Sequence, residues 1–203
     1  MEFWNDIATD KSWGVLIRMK KEFDFILIGG WACYLLTRAI KSKDIDIIVD
    51  FETLDKLRAD HSLKKTAFLR KYEMAIEQTS VDIYVPFYSR FPLPAEEIQK
   101  TIEIEGFRLP RPEVLLILKQ NAELERRDST KGQKDRVDII NLLLNSMIDV
   151  ISYKNMLKKY RLDNYLQRLK AIVRDSKKEF SYLGMADLRK VRLIKERILK
   201  QLA

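Results

Sequence analysis

The chain has 203 residues, 46% hydrophobic and 33% charged, enough for one substantial core or two small ones. No apolar run approaches the roughly 20 residues that span a bilayer, and the single cysteine, Cys33, excludes an internal disulfide or a cysteine-rich metal site. Residues 1–6 lack the basic-then-apolar order of a signal peptide, so a cytoplasmic protein without a membrane partner is expected.

The expected elements follow in chain order. Residues 3–20 read as a helix, with Trp4, Ile7, Leu16 and Met19 as its apolar stripe. Residues 23–28 form a short apolar strand that ends in Gly29-Gly30, and residues 31–40 suit a helix packed on it. A second strand covers 45–51 and a helix 52–60. Residues 61–79 leave a loop, a short helix and a strand at 74–77 all open. The strand at 81–85 is stopped by Pro86, and Pro92 and Pro94 mark a surface connection. Residues 102–104 and 107–109, split by Glu105-Gly106, make a hairpin. After Pro110 and Pro112 the pattern turns helical: 114–127, then a turn at 128–132, then 133–146. Amphipathic helices follow at about 152–160, 163–174, 176–182 and 185–202.

Charge divides the chain. Residues 151–203 hold 15 Lys/Arg and 5 Asp/Glu, whereas residues 1–150 are nearly neutral. A basic surface attracts phosphates over a Debye length of about 8 Å. Solvated helix faces would produce the same count.

The chemistry concentrates in three acids. Side chains alternate along a strand, so Asp44 and Asp46 are expected on one face, about 7 Å apart at their Cα atoms. Ile45, Ile47 and Val49 then enter the core, and burying them locks the register. Asp82, between Val81 and Ile83, follows the same logic. Converging carboxylates repel one another unless a divalent cation neutralises them. Mg²⁺ suits oxygen ligands plus substrate phosphates, and two such ions can serve an in-line displacement. Gly29 and Gly30 let backbone amides approach a phosphate, and the following helix points its positive end the same way. Taken alone, each feature is also an ordinary strand or turn. His61 reads as a surface residue and Cys33 as packed. Trp31, Tyr34 and Phe87 can stack on a base, although such aromatics more often belong to a core.

Together these residues resemble the polymerase-beta-like nucleotidyltransferase superfamily: an apolar strand, Gly-Gly, a helix, Asp44-x-Asp46, then Asp82 on a later strand. Lys119-Gln120-Asn121-Ala122, Arg126-Arg127 and Lys134-Asp135-Arg136-Val137-Asp138-Ile139 look like the block of AbiEii-type and related minimal nucleotidyltransferases, some of them toxins of toxin–antitoxin systems. The resemblance spans residues 20–145. It implies an α+β nucleotidyltransferase fold over residues 1–110 and a helical domain over 111–203 with a basic C-terminal part.

It also implies transfer of a nucleoside monophosphate from an NTP, such as ATP, to an acceptor hydroxyl, with pyrophosphate released and two Mg²⁺ ions engaged. Asp44, Asp46 and Asp82 would be the catalytic and metal-holding residues. Gly29, Gly30, Ser42, Lys119, Arg127, Lys134 and Asp138 would bind the nucleotide. For Lys134 and Asp138 an i, i+4 salt bridge is an equal reading. Gly30 and Ile40 depart from the pattern, which often has a serine and an arginine at those places. The acceptor stays open between RNA or a tRNA end, a small molecule and a protein hydroxyl. A non-enzymatic RNA- or partner-binding module is the alternative, and an antitoxin is a possible partner.

Overall fold

The computed structural model describes residues 4–67 and 70–203. Two compact units divide it, one from Trp4 to Arg111 and the other from Pro112 to Ala203. No helix among the described residues is long and apolar enough to cross a membrane.

The first unit is α+β. Helix α1 (Asp6–Glu22) starts where the Asn5 side chain accepts from the Ile7 N–H at 2.8 Å. The helix therefore begins later than residue 3, which lies outside the described residues. Its buried face is Thr9, Ser12, Val15, Leu16 and Met19, so Ile7, counted in the expected stripe, faces solvent. Then come β1 (Ile26–Ile28), α2 (Gly29–Thr37), β2 (Ile45–Ile48) and α3 (Phe51–Asp60). The open region resolves into β3 (Lys64–Thr66) and β4 (Lys71–Ile76), and Thr79–Tyr84 is β5. Glu77 and Gln78 both take positive φ in the two-residue β4–β5 turn, the geometry that suits the twist of a tight hairpin. A single-turn helix α4 (Ala95–Ile98) follows the prolines, then the hairpin β6 (Thr101–Ile104) and β7 (Phe107–Pro110).

The seven strands form one mixed sheet in the order β3-β4-β5-β2-β1-β7-β6. β2 lies parallel to β5 and antiparallel to β1, while β1 lies parallel to β7. One row of register partners reads Leu27, Ile47, Ile83 and Tyr72, all buried. The neighbouring row is polar, and it carries the candidate site. α2 packs on β1 and β2. The Trp31 indole N–H donates to Ser12 Oγ at 2.8 Å and its ring lies against Trp13, which ties α2 to α1. Trp31 is thus a core residue, as is Cys33, whereas Phe87 is exposed.

The second unit is helical: α5 (Pro112–Arg126), α6 (Thr130–Asn145), α7 (Val150–Lys159), α8 (Asp163–Asp175), α9 (Lys178–Tyr182) and α10 (Leu188–Gln201). α6 begins three residues earlier than expected because Ser129 Oγ accepts from the Gly132 N–H at 3.0 Å. Asp149 and Asp187 cap α7 and α10 in the same way. The core of this unit gathers Val114, Leu116, Ile117, Val137, Ile140, Tyr153, Leu169 and Phe180. Gln120 is fully buried and bonded at both ends of its amide: it accepts from the Tyr153 hydroxyl at 2.6 Å and donates to the Tyr165 carbonyl at 2.9 Å. Burial pushes the Tyr165 phenol up to about 12.

Candidate active site

The polar row runs across four strands, with the apolar Ile28 at its β1 end. Ile28 partners Asp46, Asp46 partners Asp82, Asp82 partners Glu73, and Glu73 partners Lys64. Register partners project to the same face, and neighbouring strands are about 4.8 Å apart. Asp46 and Asp82 therefore stand side by side. The apolar row beside them enforces this, since a one-residue slip would bury the acids and expose Ile47 and Ile83.

β2 begins at Ile45, as expected, so Asp44 sits in the bend just before the strand. The Ser42 hydroxyl donates to the Asp44 carbonyl at 2.9 Å. Ser42 thus shapes the bend that presents Asp44. Among the described residues, no three or more His, Cys, Asp or Glu side chains gather into a group able to hold a metal ion. The pair that shares a register position is Asp46 and Asp82. Two adjacent carboxylates fit Mg²⁺, which takes one or two such ligands and completes its shell with water and phosphate.

Gly29 opens α2 with φ of +67°. A Cβ built there would overlap the Asp46 carboxylate, approaching its Cγ to 2.6 Å. The glycine is required twice, once for the left-handed backbone and once for the close approach of Asp46. Gly29→Ala is expected to cost about 3 kcal/mol, from left-handed strain plus overpacking. Urea titration of the variant measures that loss; a change below about 0.5 kcal/mol would mean that Asp46 lies elsewhere.

The sequence reading did not include Lys71 and Glu73. The Lys71 ammonium lies 2.6 Å from Asp82 Oδ2 and 3.0 Å from Glu73 Oε1, with only 11% of its side chain exposed. Burial alone would pull the ammonium down, but the hydrogen bonds and charges of Asp82 and Glu73 outweigh it and hold it above its ordinary value. The hydrogen bond from Lys71 holds Glu73 below the usual carboxylate range. A lysine two residues before a glutamate on a strand was the available signal, but this stretch showed no clear strand period.

The other expected residues belong to the helical unit. Asp138 is buried between two lysines. Its Oδ1 accepts from Lys134 at i, i+4, and its Oδ2 lies 2.8 Å from Lys119 Nζ, an ion contact outside hydrogen-bond geometry. Asp135, equally buried, accepts from Lys119 at 3.2 Å and from Arg126 Nε at 2.7 Å. Burial pushes the Asp135 carboxyl up, but the Lys119 charge and the Arg126 hydrogen bond prevail and hold it below its ordinary value. The salt-bridge reading of Lys134 and Asp138 is therefore realised, and Asp138 also orients Lys119. Arg127 is exposed and lies 3.5 Å from the Asp128 carboxylate. A cleft of about 540 Å³ opens among α8, α9 and α10, rimmed by Arg174, Lys177, Arg192 and Lys195. Burial pulls the Lys195 ammonium down.

No protein-family profile matches the chain, and no curated protein sequence matches it either. Solved structures do. An antigenic nucleotidyltransferase-like protein from Paracoccidioides brasiliensis is 17% identical, with 89% of this chain and 94% of that one covered at a TM-score of 0.45. The Megavirus polyadenylate synthase is 16% identical over 68% of this chain and 31% of that one, with a TM-score of 0.45. ANT(2")-Ia, solved in complex with adenylyl-2"-tobramycin, is 13% identical over 97% and 99%, with a TM-score of 0.43. At these identities no residue of this chain takes a role from them.

Proposed function

We propose that the chain is an Mg²⁺-dependent nucleotidyltransferase that moves a nucleoside monophosphate from an NTP to an acceptor hydroxyl. The observation that carries this reading is the register pairing of Asp46 with Asp82, beside Gly29 at the head of α2. Asp46 and Asp82 would hold the metal, with Asp44 as a further ligand from its bend. Mg²⁺, when bound, neutralises phosphate charge and polarises the reacting phosphoryl group.

The chain's own residues would do the rest. Amides at the start of α2 would orient the phosphates, favoured by the positive end of the helix. Asp82 would take the proton of the acceptor hydroxyl. The acceptor oxygen bonds to the α-phosphorus, and the bond from that phosphorus to the bridging oxygen breaks with its electron pair leaving on pyrophosphate.

The acceptor proposed is RNA, with a tRNA end as one form. The basic C-terminal helices would hold its backbone in a salt-dependent manner. A toxin-like role with an antitoxin partner and a cytoplasmic setting belong to the same proposal. One observation favours a second reading, an RNA- or partner-binding module without transfer: Lys71 already neutralises Asp82.

Incubation with labelled NTPs, Mg²⁺ and total RNA or protein tests both. Label on RNA, absent with Asp82→Asn, is the expected result. Label on protein or on a small molecule would redirect the acceptor, and no transfer of any kind would leave the binding module standing.

A further inference from the structure

We infer that Lys71 is a positioning residue that guards the metal site: its ammonium occupies Asp82 until a divalent cation displaces it. The inference rests on the proposed use of a metal by Asp46 and Asp82.

Three observations carry it. First, a cation of the protein itself already sits on the candidate site: Lys71 Nζ stands 2.6 Å from Asp82 Oδ2. Second, the pairing has a local cause. Asp46 and Asp82 are direct cross-strand partners, and like charges so placed repel. Lys71 on β4 offsets that repulsion from the side away from Asp46. Third, a second carboxylate is already engaged. Glu73, two residues along the same strand face and itself the register partner of Asp82, lies 3.0 Å from the same ammonium. When a divalent cation takes Asp82 Oδ2, Lys71 can stay on Glu73 with a small side-chain swing and keep a charge partner in a largely desolvated place.

The physics sets a direction. An ammonium and a divalent cation cannot both sit within bonding distance of one carboxylate oxygen without strong repulsion. A divalent cation that takes Asp82 Oδ2 must therefore break the Lys71–Asp82 contact. Removing the ammonium should tighten metal binding, which a merely structural lysine would not do when lost. Removing a unit positive charge from contact distance of the metal-binding carboxylate should raise metal affinity by about tenfold or more.

Mn²⁺ binding to the full chain without nucleotide, followed by electron paramagnetic resonance, tests this. Lys71→Met should bind Mn²⁺ about tenfold more tightly than the natural chain, and Lys71→Arg, which keeps the charge, should bind like the natural chain. If Lys71→Met does not fold, Lys71→Gln carries the same comparison. Equal or weaker binding in the neutral variants, with Asp46→Asn still abolishing it, would overturn the guarding role and leave the metal site intact. Binding that ignores Asp46→Asn in every background would overturn the metal site itself, and the guarding role with it.

Discussion

Asp46→Asn is expected to lower nucleotidyl transfer by about a thousandfold or more while leaving the fold in place. Asp46 shares its register position with Asp82 and fills the space that a Cβ on Gly29 would need. Asparagine has nearly the same shape, so the packing against Gly29 survives. What disappears is one full negative charge from the pair proposed to hold Mg²⁺. A thousandfold loss corresponds to about 4 kcal/mol of transition-state stabilisation, a reasonable share for one ligand in a metal-assisted phosphoryl transfer. Removing one of two facing like charges relieves repulsion, so the fold should persist. Single-turnover transfer from a labelled NTP, paired with a thermal melt, reads both quantities. Unchanged transfer with an unchanged melt would end the catalytic assignment of Asp46.

Glu123→Gln is expected to destabilise the helical unit by about 3–5 kcal/mol, the usual cost of breaking a buried ion pair from one side. Glu123 is 0% exposed on α5. It accepts from Arg136 Nη1 of α6 at 3.2 Å, and from Arg168 of α8 through Nε at 2.9 Å and through Nη2. Arg136 continues to Glu179 of α9 at 3.1 Å and to the Arg127 carbonyl at 2.8 Å. One carboxylate thus anchors two guanidinium groups and ties together helices α5, α6, α8 and α9. The amide keeps an acceptor oxygen but leaves Arg168 without the carboxylate it grips and Arg136 with Glu179 alone. Urea unfolding followed by circular dichroism measures the loss. A shift below about 1 kcal/mol would mean that water reaches this network and screens it.

Much of the first unit was legible because period-two burial is a local property. Val81 and Ile83 alternate with Ser80, Asp82 and Tyr84 and are buried, while Leu27 sits in a continuous buried apolar run. The Glu105-Gly106 hairpin was legible from turn chemistry, both residues taking positive φ. The stretch before β5 was not, because β3 is a three-residue edge strand, Lys64–Thr66, whose lysines blunt the edge instead of signalling a core. Helix starts were misplaced wherever a cap, not the apolar period, decided them, as at Asn5 and Ser129. Asp44 was expected on the face of Asp46 because Asp44-Ile45-Asp46 alternates, yet it precedes the first paired residue, Ile45.

The sequence by itself determined which acids are available and which face of each strand they occupy, since alternation and burial need only neighbouring residues. It also determined that position 29 is a glycine and that lysines and aspartates recur at helical spacing after residue 119. Only the tertiary structure decided the partners. Strand order brings Asp82, 36 residues beyond Asp46 in the chain, alongside it. The β4–β5 hairpin carries Lys71 to Asp82, and the packing of α5 on α6 sets Lys119 against Asp135 and Asp138. Charge partners are chosen by distance in space, and in a sheet that distance is set by strand order, which no local pattern contains.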